Sequence, residues 1–320
     1  MSARVATTLR VVQQRSILVL IGLLVALAAL IEIIRPGAVN ASWVSNILEF
    51  AAPLGILAAG QTLVVITGGI DLSVANVATA AAYIMASQVP HGVVRAIVLG
   101  LLVGVVVGMI NGIGVAVFRV QPLIMTLAMG LVVTGSLNVY GQSDRARGVP
   151  VVPEVIHTLG SGTVLGYVPV SLFLWGALAV LLIVGLRGTG FGRLLYALGD
   201  NPEATRLAGV RGWQVLLANY TACGLLSAVA GLVLAGTVNA ADLGLATILL
   251  LPSVAAVVIG GTSIFGGSGS YSGTFVGALI LTVLNSVLTL LDVPDAVKQV
   301  LYGAIIVLLA AVYTRVLGRD

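Results

Sequence analysis

Long apolar runs, broken by glycine, proline or charge, repeat along the whole chain at 16–34, 47–67, 72–88, 93–117, 122–140, 168–186, 214–236, 245–262, 271–291 and 298–316. A helix needs ~20 apolar residues to cross hydrocarbon. The pattern therefore predicts an all-α, polytopic transmembrane bundle of about ten spanning helices. The run at 245–262 is the weakest, being short and holding Pro252. The first run follows Arg4, Arg10 and Arg15 and contains Ala26-Leu27-Ala28, as a signal peptide would. It stays apolar through Ile34, where a cleaved signal gives way to polar sequence, so it reads as an uncleaved first helix. The expected division is a tail at 1–15, one transmembrane domain at 16–317 and a tail at 318–320.

Composition agrees with the pattern. Hydrophobic residues make up 59% and charged residues 8%, and mean hydropathy is +1.16. Soluble domains carry ~25% charged residues, so this chain lacks the groups to cover itself in water. The net charge of +4 sits on residues scattered between apolar runs, which argues for topology and against nucleic acid. With the N-terminus inside, Arg4, Arg10, Arg15, Arg119, Arg187, Arg193, Arg206, Arg211, Arg315 and Arg319 lie inside. Arg35, Arg95, Arg145, Arg147 and Lys298 lie outside. Ten against five favours N-in/C-in. The single cysteine, Cys223, lies in an apolar run and permits no disulfide within one chain, and no metal cluster is suggested.

One polar segment stands out, RGTGFGRLLYALGDNPEATRLAGVRG at 187–212, on the cytoplasmic side under this topology. Asp200 or Asn201 can N-cap a short helix, Pro202 suits its first position and Glu203 its positive dipole end. Gly209 suits the C′ position past Ala208. Gly190, Gly192, Gly199 and Gly212 are read as turns on either side. Two helical turns are unstable alone in water, so this helix must pack on its own bundle or on a partner.

Two glycine-rich breaks lie on the same side. In Gly68-Gly69-Ile70-Asp71-Leu72-Ser73, Asp71 or Ser73 can cap the following helix. Topology puts Asp71 at the membrane boundary, where a charge escapes most of the ~2.5–3.5 kcal/mol insertion penalty. The second break, Gly260-Gly261-Thr262-Ser263 with Gly266-Gly267-Ser268-Gly269, is read as a hinge. It lacks the lysine of a phosphate-binding loop and a nearby histidine base for a serine nucleophile. Val-Val-Ile before Gly260 echoes Val-Val-Ile-Thr before Gly68. Gly100, Gly104, Gly108 and Gly112 form a small-residue face for close helix packing.

FGRLLYALGDNPEATRLAGV, with GGIDLSVANVATAAAYIMA at 68–86, NGIGVAVFRVQPLIMTLAMG at 111–130 and AAVVIGGTSIFGGSGSYSGTFVGALI at 255–280, resembles the permease subunits of ribose/xylose/galactose-type ABC importers. The resemblance runs from about Gly55 to Ala310. It implies a permease that is not an enzyme and binds no cofactor, with ATP and Mg held by a partner ATPase. It implies further partners: a second permease subunit, identical or not, the bilayer, and an extracytoplasmic sugar-binding protein. The 141–167 loop, with Asp144, Arg145, Arg147 and Glu154, is the expected dock for that protein.

Carried over by position, Gly192, Arg193, Ala197, Gly199, Asn201, Ala204 and Gly209 match the ATPase-coupling loop, and Asp200, Glu203 and Arg206 lie within it. The chain departs from the pattern at Ile248-Leu249-Leu250-Leu251-Pro252, where many relatives carry a Glu near Leu250. That departure keeps other solutes open: a branched-chain amino acid, a nucleoside or a furanone-type signal.

A solute path needs polar partners within the spans. Gln61, Thr62, Asn76, Asn111, Thr126, Asn138, Asn219, Tyr220, Asn239 and Asn285 are neutral, which suits a sugar better than an ion. Gln61, Asn76 and Asn111 rank first. No paired acidic or histidine relay lies mid-membrane, which favours an external energy source over a self-sufficient carrier.

Overall fold

The computed structural model describes residues 16–143 and 151–317, with side chains at 17–143 and 151–311. The predicted tails, Asp144, Arg145 and Arg147, and the Arg315 side chain lie outside the described residues. The fold is all-α. Its helices are α1 (Ser16–Ile34), α2 (Ala41–Ile66), α3 (Val74–Gln88), α4 (Val93–Ala116), α5 (Pro122–Gly141), α6 (Glu154–Ser161), α7 (Val170–Gly188), α8 (Gly190–Asp200), α9 (Pro202–Leu207), α10 (Gly212–Val238), α11 (Leu250–Ile259), α12 (Tyr271–Leu290) and α13 (Asp295–Leu317). A small hairpin, β1 (Thr163–Val164) against β2 (Val168–Pro169), precedes α7.

Among the described residues seven helices are long and apolar enough to cross a membrane: α1, α2, α4, α5, α7, α10 and α12. Two of the expected spans are shorter as helices. The 72–88 run gives the 15-residue α3 and the 245–262 run the 10-residue α11. In each, part of the apolar run is spent on non-helical chain at a glycine break. The 298–316 run belongs to the 23-residue α13.

The core forms around α2 and α10. From Ala51 to Ile66 every residue of α2 is buried, because α3, α7, α10, α11 and α12 all pack on it. The glycine face of α4 lies on its own subunit's neighbours. A Cβ at Gly104 or Gly108 would strike the α10 backbone at Gly224 or Tyr220, and one at Gly100 would meet Ala81. Trp175 of α7 is fully buried, stacks on Phe275 with centroids 3.9 Å apart, and donates to the Tyr271 hydroxyl at 2.8 Å. Tyr271 in turn donates to the Gly55 carbonyl at 2.8 Å, so α2, α7 and α12 are joined without an orphaned indole N–H.

Candidate coupling segment and re-entrant site

The 187–212 segment folds as two helices rather than as one helix between turns. Thr189 N-caps α8, accepting from Gly192 N at 3.2 Å, and Gly190, Gly192 and Gly199 lie inside α8. Gly192 and Gly199 are needed for close approach, since a Cβ on them would strike the Leu186 and Ile66 carbonyls respectively. The cap of α9 is Asn201, which accepts from Ala204 N at 2.9 Å, with Pro202 at the first helical position. At its end Gly209 takes φ +83°, Gly209 N bonds to Arg206 O and Val210 N to Thr205 O. This is the paired C′ and C″ arrangement that satisfies the last carbonyls of a helix.

Only one face of α9 packs inward. Thr205 is buried and donates its hydroxyl to Ala197 O at 2.9 Å or Asn201 O at 2.8 Å, fastening α9 to α8. The other face is bare. Leu207 is 75% exposed, and Arg206 pairs with Glu203 through two hydrogen bonds of 3.1 and 2.5 Å while both stay open to solvent. The Arg206 guanidinium holds the Glu203 carboxyl below the usual range. An exposed ion pair of this kind adds little to folding, so both charges are available to another surface. Asp200, Arg193 and Ala197 are also exposed. Leu207 escaped the motif reading, although it is the one large apolar residue of α9.

The two glycine breaks meet the 187–212 segment at one junction. Helix α2 ends with Gly68 at φ +77°, Gly68 N bonding to Val65 O and Gly69 N to Val64 O. Helix α11 ends with Gly261 at φ +85°, Gly261 N bonding to Val258 O and Thr262 N to Val257 O. The echoed Val-Val-Ile sequences thus end in the same backbone arrangement. Gly267 N then donates to Ile66 O at 2.9 Å, tying the second break to the first. Gly199 of α8 sits directly on that bond, and a Cβ on Gly266 would come within 2.8 Å of Gly199 O and 2.9 Å of Gly68 N. Tyr196 of α8 donates to Gly269 O at 2.9 Å. Gly260, buried beside Gly261, packs on the first turn of α12, where a Cβ would strike Thr274 N.

From Gly68 the chain turns back into the bundle, and Asp71, expected as a cap at a boundary, is enclosed by protein. It is 1% exposed. Its peptide is held by Gln61, five residues or about 7.5 Å of helix inside the end of α2. Gln61 Nε2 donates to Asp71 O at 2.6 Å and Gln61 Oε1 accepts from Asp71 N at 3.2 Å. Ser73 is the N-cap of α3 but makes no side-chain cap bond. Instead its N–H and hydroxyl both donate to Asp71 Oδ1, at 2.8 and 2.6 Å. Asn111 Nδ2 donates to Ser73 Oγ at 2.9 Å and lies 3.5 Å from Asp71 Oδ2. Thr126 accepts from Leu72 N at 3.0 Å. Buried non-helical backbone needs protein groups in place of water, and Gln61 and Thr126 supply them here. Asn76 donates to Gly130 O and Thr134 Oγ1, at 3.0 and 2.5 Å, holding α3 on α5. Gln61 and Asn111 are fully buried.

The arrangement joins a buried polar segment to a short helix with an exposed face. A family model described as the branched-chain amino acid transport system / permease component matches residues 43–310. The ribose import permease protein RbsC of Bacillus subtilis is 38% identical over 291 residues, spanning 90% of this chain and 89% of that protein. The fructose import permease protein FrcC of Rhizobium meliloti is 34% identical over 276 residues, 83% of this chain and 76% of that one. The probable ABC transporter permease protein YphD of Escherichia coli is 38% identical over 301 residues, 90% and 87% of the two chains. No solved structure matches the chain. The chain is a polytopic helical membrane protein that belongs to this family of transport-system permease components.

Proposed function

We propose that this chain is the membrane-spanning subunit of an ATP-driven, binding-protein-dependent importer that moves a monosaccharide across the cytoplasmic membrane. The named relatives carry the sugar: the ribose and fructose permeases match most of the chain at 34–38% identity. The family description names branched-chain amino acids, and that solute class is the second reading.

The observation that carries the mechanism is the junction of Gly199, Ile66 and Gly267. A separate ATPase grips the bare face of α9, with Glu203, Arg206 and Leu207 as its contacts and Arg193 beside them. Asn201, Ala204 and Gly209 shape the cap and end of α9, while Gly192 and Gly199 seat α8. ATP-driven closure shifts α8 and α9 as a body, and the shift reaches α2 and α11 through Gly68, Gly69, Gly260, Gly261, Gly266 and Gly267. Gln61, Asn76 and Asn111 serve the path by holding the re-entrant segment around Asp71 and Ser73. Ten passes with both termini inside fit this reading, because α3 and α11 each complete a crossing with non-helical chain and the Arg-rich segment lies inside. A second permease subunit and an extracytoplasmic binding protein complete the assembly, and the α6 and hairpin region faces the binding protein.

The double charge reversal Arg193→Glu/Glu203→Lys tests the coupling. In proteoliposomes with ATPase and binding protein, uptake is expected to fall about tenfold or more while membrane insertion stays normal. Wild-type uptake with the ATPase still bound would contradict the assignment.

A further inference from the structure

Two cavities lie end to end at the end of the bundle opposite the glycine junction, and Phe50, Thr282 and Asn285 line both. The outer one, about 610 Å³, adds Trp43, Asn46 and Ser286 and is rimmed by Arg35 and Asp292. The inner one, about 270 Å³, is walled by Leu54, Leu281, Ile248 and Pro252, with Lys298 and Tyr302 at one side. The shared residues therefore lie where a cavity of mixed polar and apolar lining adjoins a mainly apolar one, a place termed the neck below.

The neck has spare bonding capacity. Tyr302 donates to Asn285 Oδ1 at 3.4 Å, and Asn285 Nδ2 makes no bond among the described residues. Thr282 spends its proton on Ala278 O at 2.9 Å and keeps its lone pairs. Phe50 is 49% exposed. An amide facing lipid without partners would cost several kcal/mol, whereas facing a wet cavity it costs little. The charges around the cavities cancel. Arg35 and Lys298 stand against Asp292 and Asp295, and the buried Lys298 already donates to Asp295 Oδ1 at 2.9 Å and Thr289 Oγ1 at 3.0 Å. The inner pocket thus offers no unpaired charge to a carboxylate or an ammonium.

We infer that the Phe50–Thr282–Asn285 neck is the specificity-determining constriction of the solute path and takes a neutral polyhydroxylated solute. The Phe50 ring covers the C–H face of a sugar ring, Asn285 Nδ2 donates to one hydroxyl and Thr282 accepts from another. The sugar rests on the function proposed above. The water-filled neck does not.

Two measurements separate these claims. In open membrane fragments, Asn285→Cys and Thr282→Cys are expected to react with a charged, membrane-impermeant thiol reagent about tenfold faster than Leu131→Cys on α5, which is 69% exposed on an apolar face. The native Cys223 is buried and gives a low background. Equal rates at all three positions would overturn the neck. In proteoliposomes holding the whole complex, Asn285→Leu should lower D-ribose uptake about tenfold with ATPase subunits retained, and Asn285→Gln should restore part of it. Phe50→Leu should shift the D-ribose to D-fructose uptake ratio. Unchanged uptake and ratio would overturn the specificity role. A wild-type complex that moves no D-ribose while the labelling contrast holds would count against the sugar and support the wet neck.

Discussion

Gly199→Ala is expected to abolish most ATP-driven uptake. A single methyl there points into the Ile66 carbonyl and comes within 2.6 Å of Gly267 N, so α8 can hold it only by withdrawing from both glycine breaks. Overpacking of this kind costs about 1–3 kcal/mol where the neighbours can shift, and here the neighbours are backbone. Each 1.4 kcal/mol lost from the seated arrangement lowers its population about tenfold. The control is Gly176→Ala on α7, where nothing lies within 4 Å, and it should leave uptake and yield unchanged. Uptake and folded yield at wild-type levels in Gly199→Ala would show that α8 does not need its seat.

Gln61→Leu should produce the largest loss of stability. One amide satisfies both the N–H and the carbonyl of the Asp71 peptide, and leucine satisfies neither. Each buried group left unpaired costs about 1–3 kcal/mol. Thr126→Val removes the acceptor of one N–H, that of Leu72, together with that hydroxyl's own bond to Pro122 O or Ile70 O. Thr126→Val should therefore be milder. Thermal unfolding in detergent checks the order: Gln61→Leu lowest, then Thr126→Val, then wild type. Gln61→Leu melting with wild type would mean that water already serves the re-entrant peptide.

The sequence made α9 legible because its signals are local. Asn201, Pro202 and Gly209 sit at the cap, first and C′ positions whatever the rest of the chain does. Helix α8 was not legible. Its glycines look like turns, and their real need, a backbone of another helix within contact distance, is a tertiary fact. The same limit affected span lengths. Hydropathy counts Leu72 and Gly260 as part of a span, but it does not register that the chain there is non-helical and bonded by groups distant in sequence, such as Thr126. Ranking the neutral polar residues met the same obstacle. Gln61, Asn111 and Asn285 are chemically alike, yet helix packing turns the first two into the protein and the third into a cavity. The small-residue face of α4 was readable because four glycines at a spacing of four mark close helix packing by themselves, although which helices fill it, α10 at Gly104, Gly108 and Gly112 and α3 at Gly100, is a tertiary fact.

The central claim is that another protein drives this chain through α9. It is tested most directly by placing a photo-crosslinking residue at Leu207, and separately at Leu165 in the hairpin, which is 79% exposed. After illumination in native membranes, crosslinked products are identified by mass spectrometry. The account predicts that Leu207 captures an ATPase with nucleotide-binding motifs and that Leu165 does not. Capture of no ATPase at Leu207, with the chain intact and inserted, would contradict it.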